Sequence, residues 1–225
     1  MFNHIMTSII GSHPCNQDAI KYFENEDKII AVVADGLGSR INSADGAKLI
    51  CRFMVRELKM KKLPINPIDI TSPYKWHKHL SRLKFNHDDY CTTCSFVVID
   101  KKAKLLCVGQ IGDSPVFFTT DDNHIDELRQ KKDFSNITDC LGGSSIKKFT
   151  IHNKGFKSKI CVLITSDGFG DELNSSSLDS LFSYLIKKYQ GYKPNARSSQ
   201  FTKEMKTTIG NVNNDDKSAI FIWSA

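Results

Sequence analysis

Residues 94–111, CSFVVIDKKAKLLCVGQI, decide how the chain is read. Cys94–Ile99 and Leu105–Ile111 are short apolar runs rich in β-branched residues, the signature of strands. Between them Asp100-Lys101-Lys102-Ala103 is polar and brief, as an antiparallel hairpin connection requires, so at least part of the sheet is expected to be antiparallel. Further runs of the same kind stand at Ile29–Ala34 (IIAVVA), Val116–Phe118, Ile160–Thr165 and Ala219–Trp223. Helical periodicity joins Leu178, Leu181, Phe182, Leu185, Ile186 and Tyr189 behind capping Ser and Asn residues. A second helix is expected from about Ala196 to Ile209, stopped by Gly210, and a third opening at Ser72-Pro73 and running through Trp76 and Leu80. Strands with helices inserted in pairs predict a mixed α/β (α+β) layered fold rather than a regular βαβ alternation.

With 225 residues, 40% of them hydrophobic, the chain can bury one substantial core but is short for two domains and a linker. One domain over residues 1–225 is expected. The opening MFNHIMTSIIGSH lacks the basic start and apolar stretch of a signal peptide, and no run approaches the roughly 18 apolar residues of a membrane helix. A cytoplasmic protein with no membrane partner is expected. The net charge of +6 raises nucleic acid as a partner. However, Lys48, Arg52, Arg56 and Lys59 alternate with Ala47, Ile50, Cys51, Met54, Val55 and Leu58 at helical spacing, which makes them the wet face of an amphipathic helix. No aromatic-rich reading surface accompanies them, so nucleic acid is not expected. The seven scattered cysteines read as reduced, mostly buried thiols. Cys91 and Cys94 have C-x-x-C spacing, but no second pair or His doublet completes a zinc site.

Four aspartates mark the ends of strand-like runs, where a rigid scaffold hands the chain to a loop: Asp18 in CNQDA, Asp35 in VVADGLG, Asp167 in LITSDGFGD and Asp215 in NNDDKSAIF. Glycine directly after Asp35 and Asp167 permits a sharp turn and brings a carbonyl oxygen near whatever the carboxylate holds. Carboxylates and backbone oxygens without Cys or His suit the hard cations Mg²⁺ and Mn²⁺. Two such ions about 3.5–4 Å apart share a bridging hydroxide and neutralise a phosphoryl group under in-line attack. The competing reading of any one Asp-Gly is an ordinary turn.

In order, NQDA (Asn16–Ala19), VADGLG (Val33–Gly38), TTCS (Thr92–Ser95), GDSP (Gly112–Pro115), NITDCLGG (Asn136–Gly143), SDGFGD (Ser166–Asp171) and DDKS (Asp215–Ser218) span nearly the whole chain. This series resembles the metal-dependent protein phosphatases of type 2C. The resemblance implies a central sandwich of two largely antiparallel sheets flanked by helix pairs (αββα), with a dinuclear Mg²⁺ or Mn²⁺ centre at one edge. It implies that Asp35 bridges both ions, Gly36 offers its carbonyl to one, Asp167 and Asp215 hold the other, and Asp18 acts at the edge through metal-bound water. Asp113 matches the position of a weaker third ion, helped by Asp171.

The implied activity is hydrolysis of phosphoserine and phosphothreonine in proteins by direct attack of a metal-bound bridging water or hydroxide, with no phosphoenzyme. None of the seven cysteines has an Arg six positions on, so the Cys-x₅-Arg loop of thiol phosphatases is absent. The small size, SHPCNQDA and DGLGS resemble bacterial stand-alone members, which implies a monomer working beside a Ser/Thr kinase. The chain also departs from the family pattern. His13 stands where many members carry a phosphate-binding arginine, and it could bind substrate phosphate or protonate the leaving alkoxide. Leu37 replaces a His, and the flap segment between Asp113 and Asn136 is short. The missing arginine and the short flap favour the alternative of a phosphatase-like regulatory or phosphoprotein-binding module with weak or no turnover. The four retained carboxylates argue against it, since clustered anions repel unless a cation neutralises them.

Overall fold

The computed structural model describes residues 1–66, 72–121, 124–130, 138–143 and 148–224. Along the chain β1 (Phe2–Ile9), β2 (Asp18–Glu24) and β3 (Lys28–Asp35) lead into helices α1 (Ser43–Lys59) and α2 (Ser72–Arg82). Strands β4 (Cys94–Asp100), β5 (Leu105–Ile111), β6 (Val116–Thr119), β7 (Ile125–Leu128) and β8 (Thr150–Gly155) follow. Strand β9 (Cys161–Thr165) runs into the one-turn helix α3 (Asp167–Gly170), then α4 (Leu178–Tyr189), α5 (Pro194–Thr208) and β10 (Lys217–Ser224).

The hairpin closes as its sequence predicts. β4 and β5 pair antiparallel from Cys94↔Ile111 to Asp100↔Leu105. Asp100 carboxylate accepts the N–H groups of Lys102 (3.0 Å) and Ala103 (2.8 Å), and Lys104 takes the left-handed region at φ +55°, so the polar segment folds back on its own hydrogen bonds. Two five-stranded sheets result, ordered β1-β10-β9-β6-β7 and β2-β3-β4-β5-β8, and every named pairing is antiparallel.

Strand alternation explains the layers. In β3, Ile30, Val32 and Ala34 face α1 and α2, whereas Ile29, Ala31 and Val33 face the second sheet. A third apolar cluster packs α4 and α5 on the outer face of β1, β9 and β10 through Phe182, Leu185, Tyr189, Phe201 and Phe221. The architecture is thus αββα with three apolar layers. Residues Ala47, Ile50, Cys51, Met54, Val55 and Leu58 of α1 are buried while Lys48, Arg52, Arg56 and Lys59 are exposed, as the helical spacing predicts. Trp76 of α2 is fully buried against Phe53 of α1, and losing a ring so placed costs about 3–5 kcal/mol. Helix α2 starts at Ser72 as expected, although the Ser72 side chain lies outside the described residues.

Candidate functional site

One end of the sandwich gathers the acidic strand ends. Asp18 opens β2 and Asp35 closes β3, and the two are register partners across that hairpin. Asp167 follows β9 and Asp215 precedes β10, neighbours in the other sheet. Ser166 ties the sheets together: its hydroxyl donates to Asp18 Oδ2 (2.7 Å) and accepts from Ser218 N–H (2.9 Å). Asp18 therefore sits buried behind the site rather than on its surface, and its Oδ1 is buried with no hydrogen-bond partner among the described residues.

In front of Asp18 lies a pocket of about 250 Å³ lined by His13, Gln17, Asp35, Gly36, Leu37, Gly38, Thr93, Asp113, Thr138, Asp167 and Asp215. His13, Asp167 and Asp215 also line an adjoining groove of about 470 Å³ that continues past Asp171, Glu172, Asn213 and Asn214. Two glycines make the approach possible. A Cβ on Gly36 would stand 2.5 Å from the Ser43 carbonyl oxygen, and one on Gly168 would stand 2.2 Å from that of Asp216. Thr92 and Thr93 hold the Asp35 backbone: Thr92 Oγ1 and Thr93 N–H donate to its carbonyl (both 2.8 Å), and Thr93 Oγ1 accepts from its N–H (3.1 Å).

Electrostatics at this end favour added positive charge. Burial holds the Asp18 carboxyl up at about 7, against the pull of the Ser166 and Ser218 hydroxyls, with Asp216 and Asp167 adding repulsion. Asp35 keeps a solvent opening onto the pocket, yet desolvation pushes its carboxyl well above the usual range, reinforced by the charges of Asp18 and Asp167. Asp167 is raised by burial too, offset by its hydrogen bonds to Asp35 and to Gly168 N–H (2.7 Å). No Lys or Arg among the described residues pairs with Asp18, Asp35, Asp167 or Asp215. The repelling carboxylates and the orphaned Asp18 oxygen fit a hard divalent cation. Among the described residues no three acidic, His or Cys side chains close into a tight cage, so such a cation would keep water ligands.

Other expected residues take less uniform places. Asp113 is buried, lines the pocket and accepts from Thr138 Oγ1 (2.9 Å). Asp171 is ion-paired with Arg129 Nη1 (2.5 Å), whose other groups bond Glu127 and the Gly170 carbonyl. Residues 131–137, where part of the shortened flap and the start of NITDCLGG fall, lie outside the described residues.

Two contributors, Asp216 and Lys217, lie inside the DDKS motif, which by itself assigned them no role. Asp216 is almost fully buried and its carboxylate accepts Gly11 N–H (2.7 Å) and Gln17 N–H (2.6 Å), which pins the loop that carries His13. His13 Nδ1 lies 3.6 Å from Asp216 Oδ2, near but beyond hydrogen-bond distance. Lys217, buried at the start of β10, donates to the carbonyls of Asn213 (3.0 Å) and Asp215 (2.8 Å) and fixes the turn before that strand. A cation at the head of an apolar run was the available clue.

The sequence profile described as Protein phosphatase 2C matches residues 7–207. The chain belongs to the protein phosphatase 2C family. No curated protein sequence matches it. Among solved structures, a serine/threonine phosphatase of S. agalactiae aligns at TM-score 0.72 and 14% identity over 100% of both chains. RsbX in complex with magnesium aligns at TM-score 0.67 and 15% identity, over 100% of this chain and 96% of the other. The catalytic domain of the serine/threonine phosphatase PstP with two manganese ions aligns at 0.66 and 12% identity, over 99% and 97%. At these identities the likeness shows the 2C fold, in agreement with the layered sandwich that the sequence predicts. No helix among the described residues is long and apolar enough to cross a membrane.

Proposed function

We propose that this 2C-family member is a metal-dependent Ser/Thr phosphoprotein phosphatase working at the pocket between Asp18 and Asp215. The observation that carries the reading is the convergence of Asp35, Asp167 and Asp215 on one pocket, backed by Asp18, with no Lys or Arg among the described residues paired to them. In this reading Asp35, the Gly36 carbonyl, Asp167 and Asp215 would hold two Mn²⁺ or Mg²⁺ ions, with Asp18 supporting them from behind. Bound there, the ions supply Lewis acidity that activates water and balances the charge of the phosphoryl group.

The chain's own residues do the rest. Thr92 and Thr93 fix Asp35 and Gly36, and Asp216 fixes the loop of His13 at the mouth shared by pocket and groove. With Nδ1 turned to Asp216, His13 has Nε2 left to hydrogen-bond the phosphate or protonate the departing serine or threonine oxygen. Asp113, which lines the same pocket, would help hold a weaker third ion. The substrate is a phosphoserine or phosphothreonine protein, made by a partner Ser/Thr kinase, and the enzyme acts in the cytoplasm as a single-domain monomer.

Hydrolysis of p-nitrophenyl phosphate and of a phosphothreonine peptide, with Mn²⁺ and with EDTA, tests the reading. Turnover only with the metal is expected, and full activity in chelator would overturn it. A second reading, a phosphoprotein-binding module without turnover, is favoured by the Arg129 ion pair that already neutralises Asp171. Tight Mn²⁺ and phosphopeptide binding without hydrolysis would select it.

A further inference from the structure

Beside the carboxylate pocket two thiols converge that the phosphatase reading does not use. Thr92 and Leu141 form an antiparallel bridge with N–H to carbonyl bonds of 3.0 and 2.8 Å. That pairing turns the residue before each, Cys91 and Cys140, to the same face as diagonal neighbours. A Cβ built on Gly143 would lie 3.4 Å from Cys140 Sγ and 3.8 Å from Cys91 Sγ, so both sulfurs meet over this glycine. The proximity of Cys91, the Gly143 N–H and the Arg40 charge all favour a Cys140 thiolate. The neighbouring Cys91 thiol draws Cys140 below its ordinary range, while Cys140 and burial hold Cys91 above its own. Cys91 is buried while Cys140 is partly exposed, the arrangement of an attacking thiolate with a resolving partner.

The same bridge reaches the site. Thr92 pairs with Gly36 on its other side, its hydroxyl donates to the Asp35 carbonyl (2.8 Å), and the Cys91 carbonyl accepts Leu37 N–H (3.1 Å). We propose that Cys91 and Cys140 form a reversible disulfide on exposure to hydrogen peroxide, and that closing it slows the carboxylate site. The slowing rests on the function proposed above; the disulfide does not. The Cys140 thiolate attacks one peroxide oxygen, forming an S–O bond as the O–O bond breaks and hydroxide leaves. The Cys91 sulfur then attacks that sulfenic sulfur, forming S–S and breaking S–O, and the Cys91 proton departs with the second oxygen as water. The hydroxide takes up the proton that Cys140 had released. Two thiols are oxidised by two electrons, and the peroxide is reduced to two waters. A disulfide requires Cα atoms about 4.4–6.8 Å apart, whereas diagonal neighbours usually stand about 7–8 Å apart. Closure therefore pulls Cys91 and Thr92 obliquely, and Leu37 and Gly36 with them.

The test uses the full chain carrying Cys15→Ser, which removes the exposed thiol. After mild hydrogen peroxide, peptide mass spectrometry should find Cys91 linked to Cys140, with phosphopeptide turnover lowered roughly 5-fold or more and restored by dithiothreitol. The further variant Cys140→Ser should show neither link nor reversible loss. A linkage elsewhere, or Cys140 carried to sulfinic acid without a link, overturns the disulfide. A quantitative Cys91–Cys140 link with unchanged turnover overturns its effect on the site. Should the reduced protein have no turnover, Mn²⁺ affinity by calorimetry replaces it: weaker binding in the linked form supports the coupling, and equal binding overturns it.

Discussion

Both ends of the sandwich are rich in aspartate and glutamate at strand boundaries, yet they treat the charge in opposite ways. At the far end Glu24 pairs with Lys101 (2.5 Å), Asp27 with Lys102 (2.6 Å), and Asp121 accepts the backbone N–H groups of Lys157, Ser158 and Lys159. Each of these carboxyls is held below its ordinary range, Asp121 by those backbone bonds and Asp27 by its lysine; for Glu24 the bonds from Lys101 and Tyr22 outweigh burial. At the pocket end Asp18, Asp35 and Asp167 are all raised, first by burial and further by the charges of neighbouring aspartates. One end completes its turns with its acids. The other stores repulsion that a proton or a cation relieves, and only that kind of acid is a candidate for chemistry.

The largest expected effect tests whether the stored repulsion is functional. Asp35→Asn and Asp167→Asn should each lower turnover more than about 100-fold, as loss of a metal contact does, while raising the melting temperature of the EDTA-treated protein. Wild-type turnover at saturating Mn²⁺, or a lower melting temperature, would erase the contrast between the two ends.

Next is pH. The folded Asp18 carboxyl stands at about 7 against 3.8 for the ordinary group, so the native state holds a proton that the unfolded chain has already lost. Its stabilising share is complete below pH 3.8 and disappears as pH climbs through about 7. Denaturant unfolding in EDTA should show stability falling over that interval by on the order of 1–4 kcal/mol, and Mn²⁺ should flatten the fall by taking the place of the proton. The lysine-paired acids slope the other way, since their depressed values add stability above the ordinary carboxyl range that is lost in acid. A metal-free protein growing steadily more stable from pH 4 to 8 would contradict the assignment.

A smaller change is expected at the mouth of the pocket. His13→Ala should alter turnover or the Michaelis constant by about 10-fold, the worth of a hydrogen bond to a charged group near 1.5 kcal/mol; identical kinetics would reduce His13 to a loop residue. Smallest of all, Asp121→Asn should lower the melting temperature slightly and leave turnover untouched, because its role is to close a turn. Any loss of activity there would show that the two ends communicate.

The contrast also separates what the sequence could reveal. β3, β4 and β5 were legible because burial on both faces makes them continuous apolar runs. β1 and β2 were not: Asn3, His4, Thr7 and Ser8 place polar groups on both faces of β1, and β2 ends in the polar Lys21, Tyr22 and Glu24. The edge strand β8, TIHNKG, is mostly exposed and shows no apolar run. Asp35 and Asp167 stood out through the glycine that follows each, whereas Asp100 and Asp121 are the same residue type in turns with no chemistry. Only burial and partners tell them apart. Likewise the C-x-x-C spacing of Cys91 and Cys94, which completes no metal site, says nothing of where either thiol packs. Three residues apart along extended backbone they face opposite ways, and Cys91 finds Cys140, while the Cys94 thiol lies in the apolar layer with Cys51.

The pairing of β1 with β10 has a consequence in time. Residues 2–9 are made early, but their hydrogen-bonding partners are residues 217–224. At a synthesis rate of about 5–20 residues per second the first strand waits on the order of 10–40 s with both edges open, a template for unwanted pairing. Asp216, which anchors the His13 loop, and Asp215, which lines the pocket, arrive with the same late segment. A nascent chain lacking β10 thus has neither a sealed sheet nor a finished pocket. Until residues 215–224 are added, β1 lacks its partner and the pocket lacks Asp215.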